Sequence, residues 1–273
     1  MRLSFFSTLA CPTASLGKIL AFSRAFGFSG VGLRAVAGEL DLLNLPEFAP
    51  TARPLTRRRF ADAGVAPEIR LTSVRLADAR STDLQGARGM IDLAQALGIP
   101  FIRVFGGPVP AGMARTDAQD RVAAGLRTLA DNALGTGVTV LLETHDDFSD
   151  TRRAAAVMGR TDHPGVGLLW DIHHPYRLAQ EPVTETWARI GKWVRACDVK
   201  DSRPDATHRL GYRYALLGDG DVPLGEAFAL LKIANFTGPL SFEWEKLWLP
   251  ELADAAIALP HAAQNMRALW SEV

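Results

Sequence analysis

Eight times along its 273 residues the chain alternates a short, nearly continuous apolar run with an amphipathic stretch of helical period. That alternation constrains the fold more than any other feature. Parallel strands need a long crossover between them, and a helix supplies it. The apolar runs fall at residues 3–8, 30–33, 68–74, 101–104, 138–142, 166–170, 193–199 and 240–244. Helical patterns fall at 15–26, 55–63, 83–97, 117–134, 151–158, 183–190, 224–234 and 251–269, the last with Pro260 as a candidate break. Runs such as Val138-Thr139-Val140-Leu141-Leu142 are apolar on both faces, as strands covered on both sides are. An open doubly wound sheet would want a Gly-rich phosphate turn after the first strand, and residues 8–15 contain no G-x-G-x-x-G. The pattern predicts an α/β chain, a (β/α)8 TIM barrel, as a single domain over residues 1–273. Residues 39–52 read as irregular and residues 201–221 as a long polar loop that overhangs one end.

Composition narrows the function classes. The chain has 30 Lys and Arg against 30 Asp and Glu, so its formal net charge is zero. A polyanion-binding surface needs a basic excess, and no nucleic-acid partner is expected. No apolar run approaches the ~18 residues of a membrane span, and no membrane partner is expected. Cys11 and Cys197 are the only cysteines. They read as small buried hydrophobes, which suits a reducing, cytoplasmic location. Met1-Arg2-Leu3-Ser4-Phe5-Phe6 opens like a signal peptide, but the apolar stretch is short and interrupted by Ser and Thr, so it reads as the first strand. A chain of this length buries its core without a metal staple, so any metal would serve chemistry.

In a TIM barrel the functional side chains stand at strand C-termini and in the loops just beyond. Strand five ends Leu141-Leu142-Glu143-Thr144-His145-Asp146, and strand six ends Leu169-Trp170-Asp171-Ile172-His173-His174. Strand seven ends Ala196-Cys197-Asp198-Val199-Lys200-Asp201, and strand eight ends Ser241-Phe242-Glu243-Trp244-Glu245. Four consecutive strands thus bring a carboxylate to one mouth. Carboxylates converging in a dry cavity repel unless a cation sits between them, and a divalent metal resolves the conflict. Glu143, Asp171, Asp198 and Glu243 are the candidate ligands, with Glu243 preferred to Glu245. His174, three residues after Asp171, is expected near the same centre as ligand or support, and His145 stands beside Glu143. His173 reads as structural, and His163, His208 and His261 as surface residues. Asp171 also reads as a helix N-cap, and Trp170, Trp244 and Trp248 read equally as cavity walls or core.

These stretches resemble the xylose isomerase-like sugar phosphate isomerase/epimerase superfamily over nearly the whole chain. Leu141-Leu142-Glu143-Thr144-His145, Trp170-Asp171-Ile172-His173-His174-Pro175 and Val199-Lys200-Asp201-Ser202 carry the likeness, with Gly218-Asp219-Gly220-Asp221-Val222-Pro223 and Ser241-Phe242-Glu243-Trp244-Glu245. The resemblance implies one divalent metal held by Glu143, Asp171 and Glu243. The family's third ligand is a His in a His-x-Lys-Asp pattern, and Asp198 stands in its place. A second departure is Gly32, where many members have an acidic residue before Leu-Arg. An all-carboxylate set favours Mg²⁺ or Mn²⁺ over Co²⁺ or Zn²⁺. It also wants nearby cations, for which Lys200, Arg103, Arg177 and Arg213 are candidates.

The expected reaction is isomerisation or epimerisation of a sugar or related polyhydroxy ketone by proton abstraction alpha to a carbonyl, through an enediolate. Glu143 and Glu243 would exchange the proton. A dehydratase on the same scaffold and a non-catalytic sugar-binding barrel are the alternatives. An apurinic-site endonuclease would need more His and acidic ligands than a chain with six His provides, and a basic face. The partner expected is a small sugar-like molecule, and the fold class also admits a homo-oligomer.

Overall fold

Right-handed crossovers return each strand to the same side of its predecessor, and repetition with the sheet's twist closes the sheet on itself. The computed structural model describes residues 5–79 and 81–272. Its closed barrel consists of the parallel strands β1 (Phe5–Ser7), β2 (Gly30–Leu33), β3 (Ala66–Arg75), β4 (Phe101–Phe105), β5 (Thr139–Glu143), β6 (Val166–Asp171), β7 (Val194–Val199) and β10 (Leu240–Phe242). They neighbour one another in chain order, and β10 closes against β1. Around them run α1 (Leu16–Phe26), α2 (Arg53–Ala63), α3 (Ser81–Leu97), α4 (Arg115–Asn132), α5 (Thr151–Thr161), α6 (His173–Leu178), α7 (Val183–Ile190), α8 (Leu224–Ile233) and α9 (Ala255–Glu272). The TIM barrel expected from the alternation is the fold observed.

Strand side chains alternate between the barrel axis and the helical shell. Ile69, Leu71, Leu141, Leu169 and Ala196 form a small inner core with Phe101 against it. The intervening residues, such as Val140, Leu142, Leu168, Trp170, Cys197 and Val199, join the larger core under the helices. This period of two decides what faces the mouth. One inward step beyond Leu141, Leu169 and Ala196 lie Glu143, Asp171 and Asp198. The same step leads from Phe101 to Arg103, from Ser241 to Glu243 and from Gly32 to Arg34.

The structure departs from the expectations in four places. Residues 201–221 are not simply a loop. They hold an antiparallel hairpin of β8 (Asp201–Pro204) and β9 (Tyr212–Ala215), in which Asp201 pairs with Ala215 and Pro204 with Tyr212. A short helix, α6, follows β6, where no helix was expected. The last helix starts at Ala255 rather than residue 251, and Pro260 does not break it. A proline removes one backbone bond, and the buried face of Ala258, Leu259, Ala262, Ala263 and Met266 holds the helix to the barrel regardless. The first strand covers Phe5–Ser7 and gives way to a 3-10 turn at Thr8–Ala10. The remainder of that reading, and Met1 to Ser4 of the signal-peptide reading, lie outside the described residues. Cys11 and Cys197 are both buried and unpaired. Among the described residues no helix is long and apolar enough to cross a membrane.

Candidate metal centre

At the C-terminal mouth the inward carboxylates are almost wholly removed from solvent: Glu143 is 1% exposed, Asp171 0%, Asp198 0% and Glu243 3%. Glu143, Asp171 and Glu243 each offer an oxygen within 4.8 Å of the other two. Glu143 and Glu243 line a cavity of about 1360 Å³, together with Arg34, Ser73, Arg103, Phe105, His145, His174, Tyr214 and Trp248.

Each carboxylate is held by a particular neighbour. Asp171 divides its two oxygens. Oδ1 accepts from the backbone N–H groups of His173 (2.8 Å) and His174 (3.0 Å), so it caps the start of α6. Oδ2 faces the centre, 2.8 Å from Lys200 Nζ and 3.1 Å from His174 Nδ1. The helix-cap and ligand readings of Asp171 are therefore compatible. Glu143 Oε2 lies 2.8 Å from Arg103 Nε, and its Oε1 lies 4.0 Å from His174 Nδ1. Lys200 Nζ donates to Glu243 Oε2 at 2.5 Å and to Glu245 Oε1 at 3.0 Å. Glu243, not Glu245, groups with Glu143 and Asp171.

Burial and charge oppose each other here. Burial pushes the Glu143 carboxyl up to about 7, against the pull of Arg103 and His145. It raises Asp171 too, against Lys200. Burial also works against the Glu243 charge, but Lys200 and Arg103 hold that carboxyl below its ordinary value. Burial disfavours the Lys200 ammonium, yet Asp171, Glu243 and Glu245 hold it well above the usual lysine range. Burial lowers His174 well below the ordinary histidine value, Lys200 adds to this, and so a neutral imidazole faces the centre.

Asp198 points to the axis but stands outside these groupings. Its register partners are Asp171 on β6 and Ser241 on β10, so it lies level with both, one inward step below Glu243. Burial raises its carboxyl well above the ordinary range, and Glu243, Glu143 and Asp171 add to the rise. Expected as a fourth ligand, it joins none of the three-residue groupings among the described residues.

Glu143 Oε2, Asp171 Oδ2, His174 Nδ1 and both oxygens of Asp198 are buried and make no hydrogen bond. Buried polar atoms are seldom left in that state. The ion pairs of Glu143 with Arg103 and of Asp171 with Lys200 are short, but they are not directed along hydrogen bonds. An oxygen-rich donor set with one neutral imidazole fits a divalent cation.

His145 stands at the rim, its Nδ1 3.1 Å from Asp146 Oδ2. Its ring lies 4.5 Å from Phe105 and 4.6 Å from His174, centre to centre. It also forms a potential ligand group with Glu143 and His174. Burial opposes its imidazolium, but the bond to Asp146 and the charge of Glu143 raise its pKa on balance. His173 Nε2 lies 2.8 Å from Ser202 Oγ and its ring packs against Tyr212 and Tyr214, and the residue also forms a potential ligand group with Asp171 and His174.

Arg103 and Lys200 thus reach the site expected of them, and Arg177 and Arg213 do not. Arg177 is bound to Ser202 Oγ (3.0 Å), to the Ser202 carbonyl (3.1 Å) and to Asp221 behind the hairpin. Arg213 pairs with Asp205 on the exposed face of β9. Of the tryptophans, Trp170 packs in the core against Trp187, Trp244 lies against Phe242, and Trp248 alone of the three lines the cavity. Arg209, Tyr212 and Tyr214 bring the hairpin over the mouth. Asp201 anchors that hairpin, accepting from the N–H groups of Ser202, Gly218, Gly220 and Val222 at 2.8, 3.0, 2.9 and 3.2 Å. A Cβ on Gly220 would stand 1.8 Å from Asp201 Oδ1, so only glycine fits there. Arg34, Ser73 and Tyr214 escaped the sequence reading. Arg34 was within reach of it, since the strand-end rule applied to β2 points to that residue.

A family model for the xylose isomerase-like TIM barrel matches residues 20–267. No curated protein matches the chain in sequence. Among solved structures, the IolI protein with a bound zinc atom superposes with a TM-score of 0.83 at 17% identity, over 100% of this chain and 99% of that one. L-ribulose 3-epimerase superposes at 0.79 and 17% identity, over 98% and 94% of the two chains. The probable 3-DHS dehydratase AsbF from Bacillus anthracis superposes at 0.77 and 18% identity, over 97% and 98%. At these identities the likeness establishes the fold and no particular activity.

Proposed function

The chain belongs to the xylose isomerase-like TIM barrel family, and from that premise we propose that it is a divalent-metal-dependent isomerase or epimerase of a sugar or related polyhydroxy ketone. One observation carries the reading: Glu143, Asp171 and Glu243, from three strands, meet within 4.8 Å in a buried pocket. Glu143, Asp171 and Glu243 would hold the cation, with His174 Nδ1 as the nitrogen donor. When bound, the cation supplies the positive charge that polarises a substrate carbonyl and acidifies the adjacent C–H.

The chain's own groups supply the proton transfers. Glu143 and Glu243 stand on β5 and just beyond β10, separated around the barrel by β6 and β7, so they approach a shared substrate from different sides. Burial raises Glu143 to about 7 in the metal-free chain, and the same low-dielectric setting strengthens its carboxylate as a base. Arg103 fixes its orientation through the 2.8 Å contact at Oε2. Lys200 holds Glu243 as the charged form, suited to abstraction. Return of the proton to the opposite face of the same carbon gives epimerisation, and return to the neighbouring carbon gives isomerisation.

One feature favours a second reading, dehydration. His145, with Nδ1 held by Asp146 and its ring one-third exposed to the cavity, is placed to protonate a departing hydroxyl. Solvent deuterium exchange separates the outcomes. The metal-reconstituted protein is incubated in D₂O with ketoses, inososes and keto acids. Deuterium at the carbon alpha to the carbonyl supports the enolising reading, and product analysis distinguishes epimer, isomer and dehydrated product. Failure to retain Mg, Mn, Co or Zn, together with no exchange in any compound, would overturn it.

A further inference from the structure

Arg34 lies one inward step beyond Gly32, at the end of β2. It is 6% exposed, yet it lines the cavity. Its backbone N–H donates to Thr8 Oγ1 at 2.8 Å, which fixes the residue's position. Nη2 donates to Ser73 Oγ at 2.7 Å, and the guanidinium carbon lies 5.9 Å from the centre of the Trp248 ring. Among the described residues it has no carboxylate partner. The other buried cations at this end of the barrel are all engaged: Arg103 with Glu143, Lys200 with three carboxylates, and Arg70 with the carbonyls of Leu33, Leu40 and Leu71. The Arg34 guanidinium donates to one acceptor, Ser73 Oγ, while it borders the cavity.

Leaving a desolvated guanidinium without an anion is costly, and natural sites keep such a group when a ligand completes it. Burial and the nearby Arg103 pull Arg34 down to about 10, so it remains charged at neutral pH but strained for a counter-ion. Glu143, Glu243 and Glu245 act on it electrostatically, which places it beside the carboxylate centre rather than at the outer rim. A planar fork matches the two oxygens of a carboxylate or phosphate. The exposed Arg75 and Arg209 also border the cavity and add to an attractive field for an incoming anion.

We propose that Arg34, backed by Ser73 and Trp248, binds an oxyanion of the substrate, so that the compound turned over is an acid or phosphate ester of a polyhydroxy ketone and not a neutral sugar. The inference rests on the reading above only in taking this cavity as the substrate site, and anion binding is measurable without turnover.

Three probes of one carbon skeleton test it by calorimetry on the metal-reconstituted protein: sorbitol, gluconate and sorbitol 6-phosphate. At least one anion should bind about tenfold or more tighter than sorbitol, the scale of one charge-assisted hydrogen-bonded contact. Gluconate preference identifies a carboxylate, and sorbitol 6-phosphate preference a phosphate. Arg34→Gln should abolish the preference while thermal unfolding shows a folded barrel, and Arg34→Lys should restore part of it. Arg75→Gln and Arg209→Gln should leave most of it. Equal affinities for the three probes in the unsubstituted protein would overturn the proposal. So would no binding of either anion at tens of millimolar, or a preference that survives Arg34→Gln. If the preference depends on Arg34 but no compound exchanges deuterium, the enolising reading fails and the anion site stands. If neutral ketoses exchange deuterium without any anion preference, the reverse holds.

Discussion

Glu143 is where burial, charge and chemistry meet most directly. Its carboxyl has a pKa of about 7 in the folded chain against 4.5 in the open one. A cation bound there must displace the proton, so metal affinity should rise with pH up to about 7 and level off above it. Calorimetry in buffers of different ionisation enthalpy should find proton release below pH 7 that vanishes above it. The sign follows from the raised pKa: the proton is held through the window between 4.5 and about 7, where the unfolded chain has already lost it. Glu143→Gln should cut deuterium exchange by a factor of about 10²–10⁴, the usual contribution of a positioned base, with the fold retained. Lys200 makes a different test. Its ammonium neutralises Asp171, Glu243 and Glu245 at once. Removing one partner of a buried ion cluster leaves uncompensated charge, so Lys200→Met should destabilise the metal-free protein by about 3–5 kcal/mol. Added divalent cation should recover much of that loss in thermal unfolding, because it supplies the missing charge to the same oxygens.

At the scale of elements, the site depends on where strands stop and what their loops do. The hairpin of β8 and β9 is built on one side chain: Asp201 satisfies four backbone N–H groups that would otherwise lack an acceptor. The motif at residues 218–223, distant from Asp201 in sequence, is the other half of that structure. Asp201→Ala should cost about 2–4 kcal/mol in denaturant unfolding, the scale of several buried donors left unsatisfied. Limited proteolysis should then cut first between residues 203 and 220. An unchanged cleavage pattern would show that the hairpin is held by the aromatic contacts of Tyr212 and Tyr214 with His173 instead. In the sequence this segment reads as a polar loop, because its strands are short and partly polar and lie outside the barrel. No apolar alternation marks them. Helix α6 is hidden for a related reason: with six residues it is too short for a periodic pattern, although Asp171 reads as a cap.

Across the whole molecule, the inner core beneath the centre is small, and every layer above it inherits its register. Leu141, Leu169 and Ala196 lie one inward step below Glu143, Asp171 and Asp198. Truncating Leu141 to Ala should cost about 2–5 kcal/mol, as buried leucines do. It should also weaken metal binding, since the strand that carries Glu143 loses its packing. Parallel measurements of stability and metal affinity on the same variant test this coupling, and an unchanged affinity would show that the mouth is positioned independently of the barrel floor.

Much of this architecture was legible without coordinates. Eight apolar runs with helical spacers permit few closed solutions, and the period of two within a strand then assigns inward and outward residues by counting. Counting brings Glu143, Asp171, Asp198 and Glu243 to one mouth, because strand alternation is local; the narrower set of Glu143, Asp171 and Glu243 is what the family resemblance implies. The rest is contact information that no local rule contains. Whether Asp198 groups with its neighbours depends on the register of β7 with both β6 and β10. That Arg103 meets a carboxylate of the mouth and Arg213 does not depends on which elements the fold brings together, for Arg103 across more than 30 residues of chain. Arg34 without a counter-ion is a statement about every residue around it, so only the tertiary structure, which fixes all those neighbours at once, could decide it.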